Sequence, residues 1–150
     1  GTFNQLTYWS NKGILIGAPD PASAPRLPNA FDDTDGTLDT RARAYLDINC
    51  GHCHNPLGPA NNSGLSLYAT ETDLSALGVC KRPVAAGSGS GGLEYSIVPG
   101  DPDNSIMVYR MDNDTDGDIM MPELGRSTNH EEGIALIREW IANMEASPCN

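Results

Sequence analysis

The sequence predicts an all-α domain in which short helices are joined by long loops. Three observations lead to that class. Two stretches repeat apolar residues at helical period, near residues 38–49 and 129–145. Gly and Pro number 16 and 11 among 150 residues, so the chain is interrupted often. Aromatic residues make up only 6% and hydrophobic residues 39%, so large core side chains are scarce. Something other than Phe and Trp must fill the centre. The length is that of one domain with a single core.

Residues 1–36 carry little regular pattern. Pro19, Pro21, Pro25 and Pro28 crowd one short stretch, which reads as an arm laid over the domain or a linker from an upstream domain. Tyr8 and Trp9 are its candidate apolar anchors. The domain proper spans 37–150. Its first helix runs from Leu38 to about Asn49, with Leu38, Ala42, Tyr45, Leu46 and Asn49 on one face. Thr37 is the expected N-cap, or Asp39 one turn later. A looser helix covers 70–77, and the Gly/Ser-rich stretch 85–92 is loop. Residues 103–111 read as helical after the turn Pro99-Gly100-Asp101-Pro102. In the last helix Ile134, Ile137, Ile141 and Met144 form the apolar stripe, with Trp140 beside it. Glu131 and Glu132 sit at its positive end.

Nine basic residues stand against 20 acidic ones, a net charge of −11. That balance argues against nucleic acid, whose phosphates need a basic face, and against anionic membranes. The longest apolar run is Ile14-Leu15-Ile16, too short for a membrane span. No leader pattern is visible, and the chain reads as trimmed or as cut from a longer protein.

Cys50-Gly51-His52-Cys53-His54 is the sharpest signal. Cys-x-x-Cys-His is the attachment motif for c-type haem. Two thiols three residues apart on a helical turn reach the two vinyl groups on one edge of a porphyrin. The following imidazole, His54, then ligates the iron, while His52 faces solvent. Two other chemistries share parts of this pattern. A thioredoxin-like dithiol follows a buried strand and opens a helix, whereas here an amphipathic helix comes first and Asn55-Pro56-Leu57-Gly58 follows. Structural zinc needs a second ligand pair, and the sequence holds no further Cys-x-x-Cys or His-x₃₋₅-His. A soft thioether suits the opposite axial position. Met107, Met111 and Met144 read as core residues; Met120 and Met121 lie in a loop, 66 and 67 positions beyond His54. Met121, directly before Pro122, is preferred over Met120, and His130 is a lesser candidate that starts the last helix.

These features resemble class I mono-haem cytochromes c: a helix leading into Cys-x-x-Cys-His, a Met-Pro loop, and a closing amphipathic helix with an aromatic residue. The resemblance spans about residues 37–145. It implies a cytochrome c-like fold, with helices and long loops wrapped round one covalent haem. It also implies that the first and last helices cross and pack through Tyr45 and Trp140, and that Met121 ligates iron opposite His54. The stretches from Arg41 to Cys50 and from Met121 to Arg126 are similar to cytochrome modules inside larger secreted bacterial proteins. Some such modules sit beside carbohydrate-binding domains in polysaccharide-degrading bacteria.

The remaining cysteines, Cys80 and Cys149, are even in number and are expected to form a disulfide, the alternative being two free thiols. A disulfide and haem attachment both imply an exported protein, periplasmic or extracellular. Arg82, Arg110 and Arg126 are candidate partners for haem propionates, or ordinary surface ion-pair residues. Asp112, Asp114, Asp116, Gly117 and Glu123 match the calcium-loop pattern D-x-[DN]-x-[DN]-G-x₅-E, although Pro122 blocks the exiting helix and an acidic solvated turn reads equally from the residues. Asp33-Thr34-Asp35-Gly36 is a shorter echo. The expected function is one-electron transfer by a monomeric carrier, not itself a catalyst, serving a redox protein with a basic patch. The alternative is a haem c enzyme or a gas or redox sensor with a labile sixth ligand.

Overall fold

The computed structural model describes residues 4–125 and 127–150. Five α-helices follow one another: α1 Gln5–Asn11, α2 Leu38–Leu46, α3 Leu74–Leu77, α4 Ile106–Met111 and α5 Glu131–Ala142. A π-helical turn, Asp47–Gly51, continues α2, and short 3₁₀ turns lie at Pro21–Ser23, Asn61–Ser63 and Gly87–Ser90. No helix among the described residues is long and apolar enough to cross a membrane.

The expected all-α, cytochrome c-like wrap is corrected by this architecture. Helical turns of every kind take up only 36% of the described residues, and helices among long loops do not by themselves make that wrap. The physical reason lies in the composition. With Gly and Pro so frequent, much of the backbone closes its hydrogen bonds in isolated turns, such as Gly58 N–H to Asn55 at 3.0 Å and Asp101 N–H to Val98 at 3.0 Å. Two isolated parallel bridges, Val79–Ile97 and Tyr95–Ser105, fasten the middle of the chain.

The arm also departs from expectation. Residues 5–11 form a helix capped by Asn4, whose side chain accepts from Thr7 N–H, yet none of its residues is buried. Tyr8 and Trp9 are 47% and 37% exposed, so neither anchors by burial. The arm is fastened further on. Arg26 pairs with Asp35, Asp35 also accepts from Asn29 N–H at 2.7 Å, and Arg41 on α2 donates to the Ala30 carbonyl at 3.0 Å. Phe31 then meets Tyr45 and His130 edge-on, with ring centroids 6.0 and 5.4 Å apart.

The core sits where α2, α4 and α5 meet. Thr37 caps α2 through Thr40 N–H, and its Ala42, Tyr45 and Leu46 turn inward. α5 buries Ile134, Leu136, Ile137, Trp140 and Ile141 against them, and α4 adds Val108 and Met111. The indole of Trp140 donates to Asp39 at 2.9 Å, tying the far ends of α2 and α5. At the other end Gly133 faces Tyr45 so closely that a Cβ would overlap the phenol ring. Beneath α4, the fully buried Ser105 hydroxyl donates to Asp101 O at 2.8 Å and accepts from Val98 N–H at 2.9 Å. Cys80 and Cys149 are disulfide-bonded across 69 positions of sequence, which ties the C-terminus to the middle of the chain. In the chain-entropy picture a loop of that length contributes about 4 kcal/mol.

The Gly133 contact yields a sign prediction. Ala normally stabilises a helix interior by about 1 kcal/mol over Gly. Forcing a methyl into the Tyr45 ring costs roughly 1–3 kcal/mol, more than that gain. Gly133→Ala is therefore expected to lower the thermal midpoint by several degrees in calorimetry, and an equal or higher midpoint would refute the close packing.

Candidate functional site

The motif cysteines emerge from a widened helix end. After Leu46 the Asp47 carboxylate accepts Ala69 N–H at 2.8 Å, and Asn49 donates to the Tyr45 carbonyl at 2.8 Å. These bonds accompany the π turn Asp47–Gly51, a form that often marks functional positions. Cys53 and His54 N–H both return to the Cys50 carbonyl, at 3.1 and 2.8 Å. The chain then reverses round the buried Asn55, which donates to Gly51 O at 2.7 Å and accepts from Leu57 N–H at 2.9 Å. Gly58 completes the reversal, because a Cβ there would overlap the Cys53 carbonyl. A side chain at 58 would push the loop off the residue before His54.

His54 is held in one tautomer. Its Nδ1 lies 3.0 Å from Ser63 Oγ, and Ser63 Oγ–H donates to the Ala60 carbonyl at 2.7 Å. The hydroxyl proton is thus committed, so Nδ1–H donates to Ser63 and Nε2 keeps its lone pair. Burial lowers the pKa of the ring, and electrostatic repulsion from Arg110 and His52 acts in the same direction. A neutral imidazole with a free Nε2 is the state that coordinates a metal, and a partner on the other nitrogen fixes its orientation.

Two openings meet at this point. A cleft of about 430 Å³ is lined by Cys50 and His54 together with Met107, Arg110, Met111 and Met121. A second, of about 320 Å³, shares Cys50, Met111 and Met121 with the first and opens past Ile48, Leu124 and His130. Each lies in the range of roughly 300–1,000 Å³ typical of ligand pockets. Their remaining walls are largely apolar, including Leu46, Leu65, Leu67 and Ile106. The thiol of Cys50, the His54 imidazole with its Nε2 lone pair and the thioethers of Met107, Met111 and Met121 line the cleft, whereas Cys53 lines neither opening; thiol, imidazole and thioether are donors that suit a covalently attached haem. Cys53 is half-buried in the same turn, and Cys50 packs against the core.

The structure sorts the other expected residues. Met121 borders both openings, whereas Met120 borders neither. Arg110 reaches the cleft, but Arg82 does not: its guanidinium stacks on Tyr95 at 4.8 Å and donates to the Tyr95 hydroxyl at 3.1 Å, with Glu94 at 3.5 Å. Arg126 lies outside the described residues. The calcium pattern is not gathered into a cage. Asp112, Asp114, Asp116 and Glu123 are exposed, and no group of three or more His, Cys, Asp or Glu among the described residues is arranged to hold a metal ion. The reason is local: Asn113 accepts from Thr115 and Asp116 N–H, and Asp116 accepts from Asp118 N–H, which turns the acidic stretch on itself. His130 stands directly before α5, and its Nδ1 lies 3.0 Å from the Tyr45 hydroxyl. Ser63 and Asn55 carry no motif signal, and sequence reasoning missed both. Only the helix end before the motif and the turn Asn55-Pro56-Leu57-Gly58 hint at the reversal that brings Ser63 back.

No family model, curated protein or solved structure matches this chain.

The thiols bear on the dithiol alternative. Burial, aided by the neighbouring Cys53, pushes the Cys50 thiol up to about 12. Exchange-active thiols lie instead at roughly 3.5–7.5. The thiolate is the nucleophile, so the neutral form that burial favours is unreactive. In folded, haem-free protein, alkylation at Cys50 should be slow at pH 7–8 and accelerate toward pH 12. Fast labelling at neutral pH, measured by mass spectrometry, would reinstate the dithiol.

Proposed function

We propose that this chain carries single electrons on one covalently attached haem c, held through Cys50 and Cys53 and ligated by His54 and Met121. The observation that supports this reading is the meeting of a correctly tautomerised His54, Cys50 and Met121 at one apolar-walled cleft. When bound, the haem supplies a one-electron iron couple. The chain's own residues do the rest. Ser63 orients the imidazole and holds its Nδ1 proton. The Met121 thioether is a soft donor that favours the reduced metal. Leu46, Leu65 and Leu67 keep water from the interior wall. The apolar plate also answers the shortage of large core side chains.

The acidic surface, at net −11, favours a partner with a basic patch and makes the encounter salt-sensitive. The Cys80–Cys149 disulfide supports an oxidising compartment.

The test is spectroscopic. Protein matured in an exporting host should give a pyridine haemochrome of one thioether-linked haem per chain. Met121→Ala should remove the sulfur-to-iron charge-transfer band at the red edge of the ferric spectrum and open the reduced protein to carbon monoxide. Met120→Ala should do neither. Absence of the pigment refutes the reading, and the reverse pattern of the two variants reassigns the ligand.

A further inference from the structure

We infer that Arg110 is the positioning residue for Met121, gripping the ligand loop by its main chain rather than neutralising a propionate. The inference rests on the reading of Met121 as an iron ligand.

Arg110 lies in the last turn of α4. Its carbonyl accepts Met121 N–H at 2.9 Å. Its side chain reaches the same loop: Nε donates to Ile119 O at 2.8 Å and Nη2 to Asp118 O at 3.2 Å. One residue thus binds three backbone groups within four positions of the loop, the last of them the amide of Met121 itself. On the other side the Gly87–Ser90 turn presses on the guanidinium. A Cβ at Gly89 would stand 3.1 Å from Cζ and 3.2 Å from Nη2. The fork is therefore held between a glycine and two carbonyls.

Such a grip adds to the tie at the loop's base, where Asn129 donates to the Asp112 carbonyl at 2.9 Å, and to the loop's local turns. Ile119 and Met120 N–H return to the Asp116 carbonyl at 3.0 and 2.9 Å, which sets the loop's internal form but not its place over the cleft. A side chain that would hold a metal must be kept within roughly half an ångström of its productive position. Arg suits the task and Lys does not, since a planar fork serves two carbonyls at once whereas an ammonium is a point charge. Lys keeps the charge that a partner of a propionate supplies but loses the fork that serves two carbonyls, so the clamp is the more sensitive of the two roles to this change.

The holoprotein tests this with Arg110→Lys, Arg110→Gln, Gly89→Ala and, as a control, Arg82→Gln. Three readouts apply: the ferric charge-transfer band, carbon monoxide uptake by the reduced protein, and hydrogen exchange of the Met121 amide. Both Arg110 variants should lose most of the band and bind carbon monoxide. Their Met121 amide should exchange about tenfold faster, as expected for a lost anchoring hydrogen bond. Gly89→Ala should shift all three readouts less, and Arg82→Gln should shift none. The inference is overturned if folded Arg110→Gln keeps the wild-type band, or if Arg110→Lys restores it fully. Should neither Arg110 variant fold and load haem, a wild-type band in Gly89→Ala overturns it. A wild-type holoprotein without the band would instead refute Met121 as ligand, while amide exchange in the variants still reports whether the grip exists.

Discussion

Tyr45 stands so close to Gly133 that no side chain fits between α2 and α5 at that point. The site depends on this contact. Tyr45 lies on the last turn of α2, so its contact with α5 holds the helix end five positions before Cys50. Its carbonyl accepts from the Asn49 side-chain amide in the π turn, and its hydroxyl lies 3.0 Å from His130 Nδ1 at the entry of α5. One residue, through main chain and side chain, therefore links the helix crossing to the motif and to the lining of the second opening.

Two parts of the cleft lining are built by different means. The part bearing His54 is made of local reversals, in which Asn55, Gly58 and Ser63 act within ten positions of the histidine. These interactions cost little loop-closure entropy and orient the imidazole in advance. The part bearing Met121 comes from a long acidic loop whose turns are internal. It reaches the cleft by bonds to α4, where Arg110 supplies both main-chain and side-chain partners. Rigidity is thus built into one part and borrowed by the other.

Burial also selects among chemistries that share the same cysteines. A thiol packed on the core is kept neutral, which disfavours exchange, and it faces an apolar cleft suited to a flat, greasy ligand. The disulfide lies elsewhere, between the middle of the chain and its end, and does structural work there. Acidic residues that resemble a cation loop are turned outward by Asn113 and Asp116 and contribute surface charge instead.

The local features are legible in the residues alone. Periodic apolar residues and the Thr37 cap mark α2, the Ile stripe marks α5, and Cys50, Cys53 and His54 name a chemistry by spacing alone. Each of these rests on contacts or offsets of a few residues, which is why they are legible without coordinates. Tertiary structure decided the rest. It limited regular helix to a minority of the chain, placed a helix inside the arm, left Tyr8 and Trp9 exposed, and sent Arg82 to Tyr95. It also chose Ser63 as the partner of His54, favoured Met121 over Met120 at the cleft, and laid Arg110 against the loop. Those outcomes depend on which distant segments meet, and a single chain carries no periodic signal for a contact set by packing, loop closure and the satisfaction of buried hydrogen bonds.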